Sequence, residues 1–164
     1  MTTDVNETPA EVQAQRLEIA CAQLATLFNQ SENAGRLRAH EGETEWSAMQ
    51  VLGHVTEMIP YWLGQCQMLI LAGIPPLFGR TPDAPERLAG PERGATAEVG
   101  ALLGVLNEEV QAAARIIRGM TPAERDKRGR HVRRGEMRVE DVVELHVVAH
   151  VEEHLAQVRV TLGV

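Results

Sequence analysis

Three histidines spaced four residues apart lie near the C-terminus, at His146, His150 and His154. Residues four apart fall on one face of an α-helix, one turn above another. Two imidazoles arranged in this way can bind one metal ion through their ring nitrogens. The spacing therefore raises the question of which other residue could supply a third ligand.

The three histidines differ in their angle to the apolar stripe of the predicted helix. At about 100° per residue, the stripe centres close to Val151, and His154 and His150 lie about 60° and about 100° from that centre. His146 lies about 140° away, toward the rim. We predict that His150 and His154 face the bundle seam. His146 is then an outer residue that contacts substrate, supports a ligand or is simply solvated.

His54 is the candidate third ligand. It lies in another apolar helical stretch, at the equivalent angle from a stripe that centres near Val55. If the two helices are neighbours, three neutral imidazoles with an open coordination position would suit Zn²⁺, and also Ni²⁺, Co²⁺ or Fe²⁺. The alternative is a histidine-rich polar seam that binds no ion.

Other metal motifs are absent from the sequence. The segment from His150 to His154 lacks the Glu that follows the first His in zinc peptidases. No histidine has Glu three residues before it, which excludes the Glu-x-x-His pairs of di-iron bundles. The sequence also has no Gly-rich phosphate loop and no Cys-x-x-Cys pair.

The elements that would position these histidines are helices. Apolar spacing and capping boxes predict four of them, over about residues 9–30, 47–71, 96–119 and 139–162. Residues 72–94 hold five of the eight prolines and are predicted to be a long irregular loop. A loop of that length can cross a helix of about 37 Å, so the third helix can begin at the same end as the second. The pattern predicts an all-α four-helix bundle with a crossover.

Composition places the chain among single-domain globular proteins. Its 164 residues are 44% hydrophobic, enough for one core but not for two ordinary domains. We predict one domain over residues 1–164, with residues 1–8 disordered. No apolar run is long enough to span a bilayer, and the N-terminus does not resemble a secretory signal. These features predict a cytoplasmic protein without a membrane partner, in which Cys21 and Cys66 are reduced and buried.

Charge is unevenly distributed along the chain. The formal net charge of −7 argues against a nucleic-acid partner. Residues 124–138 nevertheless contain seven basic residues and three acids, a local charge of +4. This basic segment could hold the acidic part of a small-molecule substrate. The alternative is a solvated loop.

Several short motifs together resemble the DinB/YfiT-like metalloenzyme superfamily. They are Trp46-Ser47 followed by His54, the long crossover, His131 with Gly135-Glu136-Met137 before the last helix, and the segment from His150 to Val158. The resemblance covers about residues 9–160. Arg138 departs from the family pattern, because a Ser or Thr cap usually precedes the last helix; this affects only where that helix begins.

The resemblance implies a metal site and a topology. Its motifs correspond to His54, His150 and His154 as ligands of a divalent metal, with zinc expected and nickel, cobalt or iron as alternatives. It implies an up-down-down-up bundle that forms a homodimer. His146, His131, Glu57, Arg130 and Arg133 are candidates for the substrate pocket or for supporting the ligands.

The resemblance also implies a chemistry. The superfamily includes S-transferases and isomerases that use bacillithiol, mycothiol or related low-molecular-weight thiols. The expected function is a metal-dependent thiol S-transferase in stress response or detoxification, because an open zinc position binds and deprotonates a thiol. The alternatives are a metal-dependent hydrolase that activates water and a non-catalytic metal-binding or ligand-binding protein.

Overall fold

The computed structural model describes residues 8–40, 42 and 45–164. In chain order, its helices are α1 (Pro9–Asn29), α2 (Ala48–Leu71), α3 (Ala89–Thr96), α4 (Val99–Gly119), α5 (Pro122–Arg125), α6 (Val139–Val142) and α7 (Ala149–Leu162). A π-helical segment, Val143–Val148, joins α6 to α7, so that these three pieces form one last helix. The predicted disordered segment lies almost wholly outside the described residues.

The four long helices form the predicted four-helix bundle. Arg118 at the end of α4 pairs with Glu11 at the start of α1, so these two helices are antiparallel. Gln13 of α1 donates to the Glu140 carbonyl oxygen and Arg159 donates to Gln23 further along α1, so α1 runs parallel to the last helix. Ion pairs from α1 to α4 and from α1 to the last helix therefore help to hold the bundle together.

The second and third long helices run in the same direction. Gly94, just before α4, contacts Met49 at the start of α2. At the opposite ends of these helices, Leu71 is the last residue of α2 and Met120 directly follows α4. Both residues line one groove. The crossover therefore carries the chain back along α2, which confirms the all-α, up-down-down-up topology.

Local capping interactions place the histidine-bearing helices. At the start of α2, Gln50 N–H donates to Ser47 Oγ (3.2 Å) and Ser47 N–H donates to Gln50 Oε1 (2.9 Å), the predicted capping box. At the start of the last helix, Arg138 N–H donates to Asp141 Oδ2 (3.0 Å). Asp141 thus stabilises this helix start although Arg138 stands where a Ser or Thr cap was expected.

The prediction that residues 72–94 are irregular was wrong in part. They contain the strand β1 (Leu77–Phe78), a 3₁₀ turn (Pro85–Leu88) and most of α3. Helix α3 packs against α2 through glycines: a Cβ at Gly53 would collide with the Gly90 carbonyl oxygen. Close backbone contact of this kind depends on pairs of residues far apart in sequence, and the proline content does not reveal it.

The basic segment is also more ordered than a loop. It forms β2 (Arg128–His131) and β3 (Gly135–Arg138), which pair antiparallel, while β2 pairs parallel with β1. This three-stranded sheet connects the crossover to the start of the last helix. No helix in the described ranges is long and apolar enough to cross a membrane.

Candidate metal centre and its pocket

Three imidazoles from two helices converge in the bundle. His54 of α2 and His150 and His154 of α7 each offer a ring nitrogen, and these nitrogens lie within 4.8 Å of one another. The ring centroids are 5.5 Å apart for His54 and His150, and 4.8 Å for His54 and His154. The structure therefore brings together the three residues that the spacing singled out. We refer to them as the triad.

Two side chains of the triad are buried, that of His150 is half-buried, and the ring nitrogens are only partly satisfied. His54 is 1% exposed and His154 is 8% exposed. Nδ1 of His154 lies 2.8 Å from Gln157 Oε1, so this nitrogen carries the proton and donates it to the amide oxygen. Nε2 of His154 and both ring nitrogens of His54 are buried without a hydrogen-bond partner in the described part of the chain.

Burial keeps these imidazoles neutral near pH 7. It lowers the pKa of His54 to about 2, with the neighbouring His154 and His150 as further causes. It lowers the pKa of His150 to about 3, while a hydrogen bond with the backbone of His146 acts in the opposite direction. Neutral imidazole is the form that binds a metal ion, whereas imidazolium must first release a proton. The triad can therefore bind a metal ion at pH 7 without prior deprotonation.

The residues fit a divalent ion. Buried polar atoms without partners are rare in folded proteins, and here they belong to side chains that commonly bind metals. Gln157 holds the outer nitrogen of His154, an arrangement typical of metal-binding histidines. The donor set suits zinc and other first-row ions. The triad could therefore hold a divalent metal.

Glu57 connects the triad to the pocket wall. Its carboxylate accepts two hydrogen bonds from Arg80, at 2.6 and 2.7 Å, and lies 3.9 Å from Nδ1 of His54. It is 17% exposed. Glu57 is thus a half-buried ion-pair partner of Arg80 that lies beside His54 of the triad.

The prediction that His146 lies on the rim was wrong. The side chain is buried and stacks on Trp62, with ring centroids 4.1 Å apart, and on His131 at 5.0 Å. His146 lies in the π-helical segment, where hydrogen bonds from residue i to i+5 put more residues into each turn. Angles counted at 3.6 residues per turn therefore misplace it. Burial lowers its pKa to about 4.

His131 is held in one tautomer by the hairpin turn. Its Nδ1 accepts hydrogen bonds from the backbone N–H groups of Arg133 (3.1 Å) and Arg134 (3.2 Å), so the proton of the neutral ring lies on Nε2. Gly79 has φ +84° and lies so close that a Cβ there would be 2.7 Å from Nε2. His131 is therefore a fixed member of the cluster of stacked rings that it forms with Trp62 and His146.

A pocket of about 460 Å³ opens above the triad. Its walls come from α2, the crossover, the hairpin turn and the last helix. The lining residues are His54, Trp62, Arg80, Thr81, Pro82, Arg87, His131, Arg133, Arg134, Leu145, His146, Ala149, His150 and Glu153. Of the predicted pocket residues, Glu57 and Arg130 lie outside this lining. Arg130 does so because alternate strand residues face opposite sides and His131 faces inward.

Sequence reasoning missed the contribution of the crossover. Arg80 and Arg87 line the pocket, and Arg87 lies over the Trp46 ring with its guanidinium carbon 5.0 Å from the ring centroid. Trp46 in turn contacts His54, with ring centroids 5.1 Å apart. The sequence does contain a signal for them, namely arginines in a loop that must pass close to His54. The charge count covered only the continuous basic segment 124–138 and therefore overlooked them.

Comparison with known proteins agrees with this architecture. The structure of YfiT from Bacillus subtilis, described as "a probable metal-dependent hydrolase with an unusual four-helix bundle topology", superposes with a TM-score of 0.75 at 17% sequence identity, over 93% of this chain and 85% of that chain. At this identity the likeness shows the fold. No curated protein gives a significant match. The family model of the DinB superfamily matches residues 10–158, and the chain therefore belongs to the DinB superfamily.

Proposed function

We propose that the chain is a divalent-metal-dependent enzyme that transfers a low-molecular-weight thiol to an electrophile. The observation that carries this proposal is the convergence of three neutral imidazoles, of which His54 and His150 line an open pocket. Neither cysteine lines this pocket, and both are buried elsewhere. The thiol would accordingly come from a co-substrate, of which bacillithiol and mycothiol are the expected kinds.

In this proposal His54, His150 and His154 hold the ion. A divalent ion with an open coordination position lowers the pKa of a bound thiol or water, which supplies a nucleophile at neutral pH. Gln157 fixes the ring of His154 so that its Nε2 faces the site. Trp46 covers one side of His54 and limits access of water.

The stacked rings form the flat side of the pocket. Trp62, His146 and His131 contact one another and together provide a flat surface against which a substrate can lie. His146 is neutral at pH 7, because burial lowers its pKa to about 4. A pKa near 4 makes His146 a weak base at pH 7, so we assign it a role in shaping the pocket.

Metal analysis and a thiol-transfer assay test the proposal. Protein purified without an affinity tag should contain about one divalent ion per chain by elemental analysis. Metal-loaded protein should conjugate bacillithiol, mycothiol or glutathione to an electrophile, and His150→Ala should abolish the activity. Arg115→Gln, an exposed change on α4, serves as the control. Absence of activity with all three thiols, or full activity in His150→Ala, would overturn the thiol-transfer proposal.

Hydrolysis is the second candidate. It is favoured by the fold shared with YfiT, the protein described as a probable metal-dependent hydrolase. The same triad and the same neutral His146 would serve a reaction in which water replaces the thiol. Cleavage of ester, amide or lactone substrates without added thiol distinguishes it. A metal content near zero would favour the non-catalytic alternative over both enzymes.

Homodimer formation and a cytoplasmic location stay predictions. Light scattering on the purified protein tests the first of these, and cell fractionation tests the second. Neither bears on the chemistry proposed for the triad, because the pocket described above is formed by one chain.

A further inference from the structure

The pocket above the triad is strongly cationic in a protein of net charge −7. Four arginines line it, and we call them the arginine wall: Arg80, Arg87, Arg133 and Arg134. Among the described residues that line this pocket, Glu153 is the one that carries a carboxylate. A concave site lined by one sign of charge attracts ligands of the opposite sign.

The arginines of the wall differ in whether their charge is already compensated. Arg80 donates to both carboxylate oxygens of Glu57 and lies over the Tyr61 ring. Arg87 is half-buried and donates a hydrogen bond of 3.2 Å to the carbonyl oxygen of Pro82. Among the described residues, no carboxylate forms an ion pair with Arg87. A half-buried cation of this kind is stabilised when an anion binds to it.

Arg87 is held firmly in its position. It lies in the 3₁₀ turn Pro85–Leu88, directly before α3. Helix α3 is locked onto α2 by the contact between Gly90 and Gly53, and by a hydrogen bond of 2.6 Å from Arg93 to Thr56 Oγ1. The guanidinium is therefore preorganised, which reduces the entropy lost when a ligand binds.

Arg87 also lies close enough to act on the triad. Its guanidinium carbon is 5.0 Å from the centroid of Trp46, whose ring is 5.1 Å from that of His54, so Arg87 and His54 are at most about 10 Å apart. Its charge lowers the pKa of each triad imidazole, in addition to the larger effect of burial. A ligand that contacts both Arg87 and the triad must be small.

We propose that Arg87 determines substrate specificity by binding the carboxylate or phosphate group of a small anionic substrate whose reacting group lies at the triad. Arg133 and Arg134, exposed on the hairpin turn across the pocket, attract the anion and contact it from the other side. This inference rests on the proposed function in that it takes the triad as the reacting end. The carboxylate or phosphate bound by Arg87 is the part of the substrate that does not contact the metal.

Binding of simple anions tests this inference. Succinate represents the carboxylate and inorganic phosphate represents the phosphate, with succinamide as a neutral analogue of succinate. Calorimetric titration uses the protein as purified and again after chelation of metal. We expect wild type to bind succinate or phosphate but not succinamide. Arg87→Gln should weaken the binding by about 10- to 100-fold, the usual effect of losing a charge-assisted hydrogen bond.

Two further variants separate a specific effect from a general one. Arg115→Gln removes the same charge from the exposed face of α4 and should leave anion affinity unchanged. Arg87→Lys should bind the anion with intermediate affinity, because Lys keeps the charge but loses the two-pronged geometry. Circular dichroism confirms that each variant is folded before it is titrated.

The outcomes distinguish this inference from the proposed function. Equal anion affinity in wild type and Arg87→Gln would overturn the inference, even if thiol transfer is observed. So would failure of wild type to bind either anion, or equal affinity for succinamide. Arg87-dependent binding in the chelated protein supports the inference, even if no thiol is transferred. Preference between succinate and phosphate identifies the class of the anionic group.

Discussion

The base and the wall of the pocket are built in different ways. The base is the triad, which comes from two long helices and consists of neutral imidazoles, two of them buried and that of His150 half-buried. The arginine wall comes from the crossover and the hairpin turn, and part of it is exposed and permanently charged. We infer that the base is suited to a metal and the wall to an anion. The two parts should therefore respond differently to substitution, pH and packing changes.

Loss of a triad imidazole should have the largest effect. His154→Ala removes one of three converging nitrogens and the residue that Gln157 supports. We expect metal affinity to fall by more than the roughly 10- to 100-fold that follows loss of a supporting partner. Elemental analysis after dialysis measures the loss. Anion binding by the chelated variant should persist, because Arg87 is untouched.

Gln157→Ala provides a graded comparison with His154→Ala. It keeps every triad nitrogen but removes the acceptor for Nδ1 of His154. Metal affinity should fall by about 10- to 100-fold and remain above that of His154→Ala. If both variants bind metal as tightly as wild type, the triad is a polar seam and not a metal centre.

Acid should destabilise the metal-free protein through the buried histidines. His54, His150 and His146 have ordinary pKa values near 6.5, lowered in the folded state to about 2, 3 and 4. Below pH 6.5 the unfolded chain therefore binds protons that the folded chain does not, and the free energy of unfolding decreases as the pH is lowered. Each histidine contributes at most about 1.4 kcal/mol per pH unit. Urea unfolding between pH 7.5 and 4.5 measures this loss.

The acid effect also separates the base from the aromatic stack. His146 lies outside the triad, so His146→Gln should reduce the slope of stability against pH by the share of one histidine, at most about 1.4 kcal/mol per pH unit, while the triad contribution remains. Metal-loaded protein should be more stable at pH 7 and should lose this extra stability as protons compete with the ion. A flat stability profile from pH 7 to 5 in the chelated protein would contradict the assigned burial of these rings.

Packing of the crossover should affect the wall more than the base. Gly53→Ala places a Cβ against the Gly90 carbonyl oxygen, and backbone must move to relieve the contact. We expect a loss of about 1–3 kcal/mol in the free energy of unfolding, typical of overpacking. Anion binding should weaken as well, because displacement of α3 moves Arg87. Chemical denaturation and succinate titration measure the two effects.

Gly64→Ala is the matched control on the same helix. No atom lies within 4 Å of a Cβ at this exposed position. The substitution should raise stability by about 0.5–1 kcal/mol through helix propensity and leave anion affinity unchanged. If Gly53→Ala behaves like Gly64→Ala, then α3 is not held by the close contact that the structure describes.

The contrast between base and wall also explains what the sequence could predict. Helix spacing is a local property, so the four-residue interval predicted that His150 and His154 share one face of a helix. The angle between His54 and the apolar stripe of α2 matched that of His150 on the last helix, which made His54 the candidate third ligand. The capping box at Ser47 placed the start of α2 correctly. Up-down-down-up topology followed from the length of the crossover together with the family resemblance.

The parts that could not be predicted depend on contacts between distant residues. Arg87 enters the pocket because α3 packs on α2 through Gly53 and Gly90, and no short-range pattern reports such a pairing. His146 was misplaced because the π-helical segment changes the number of residues per turn. A fixed helical period cannot anticipate that change, which occurs one turn before the first triad residue of α7.

Glu57 belongs to both regions, and its substitution should produce the smallest but most informative change. Its carboxylate pairs with Arg80 of the wall and lies 3.9 Å from His54 of the base. Glu57→Gln should free Arg80 and tighten succinate binding severalfold. Metal affinity should fall by less than about tenfold, because 3.9 Å is longer than a hydrogen bond. Titration of both ligands measures the changes, and a hundredfold loss of metal affinity would instead make Glu57 part of the metal centre.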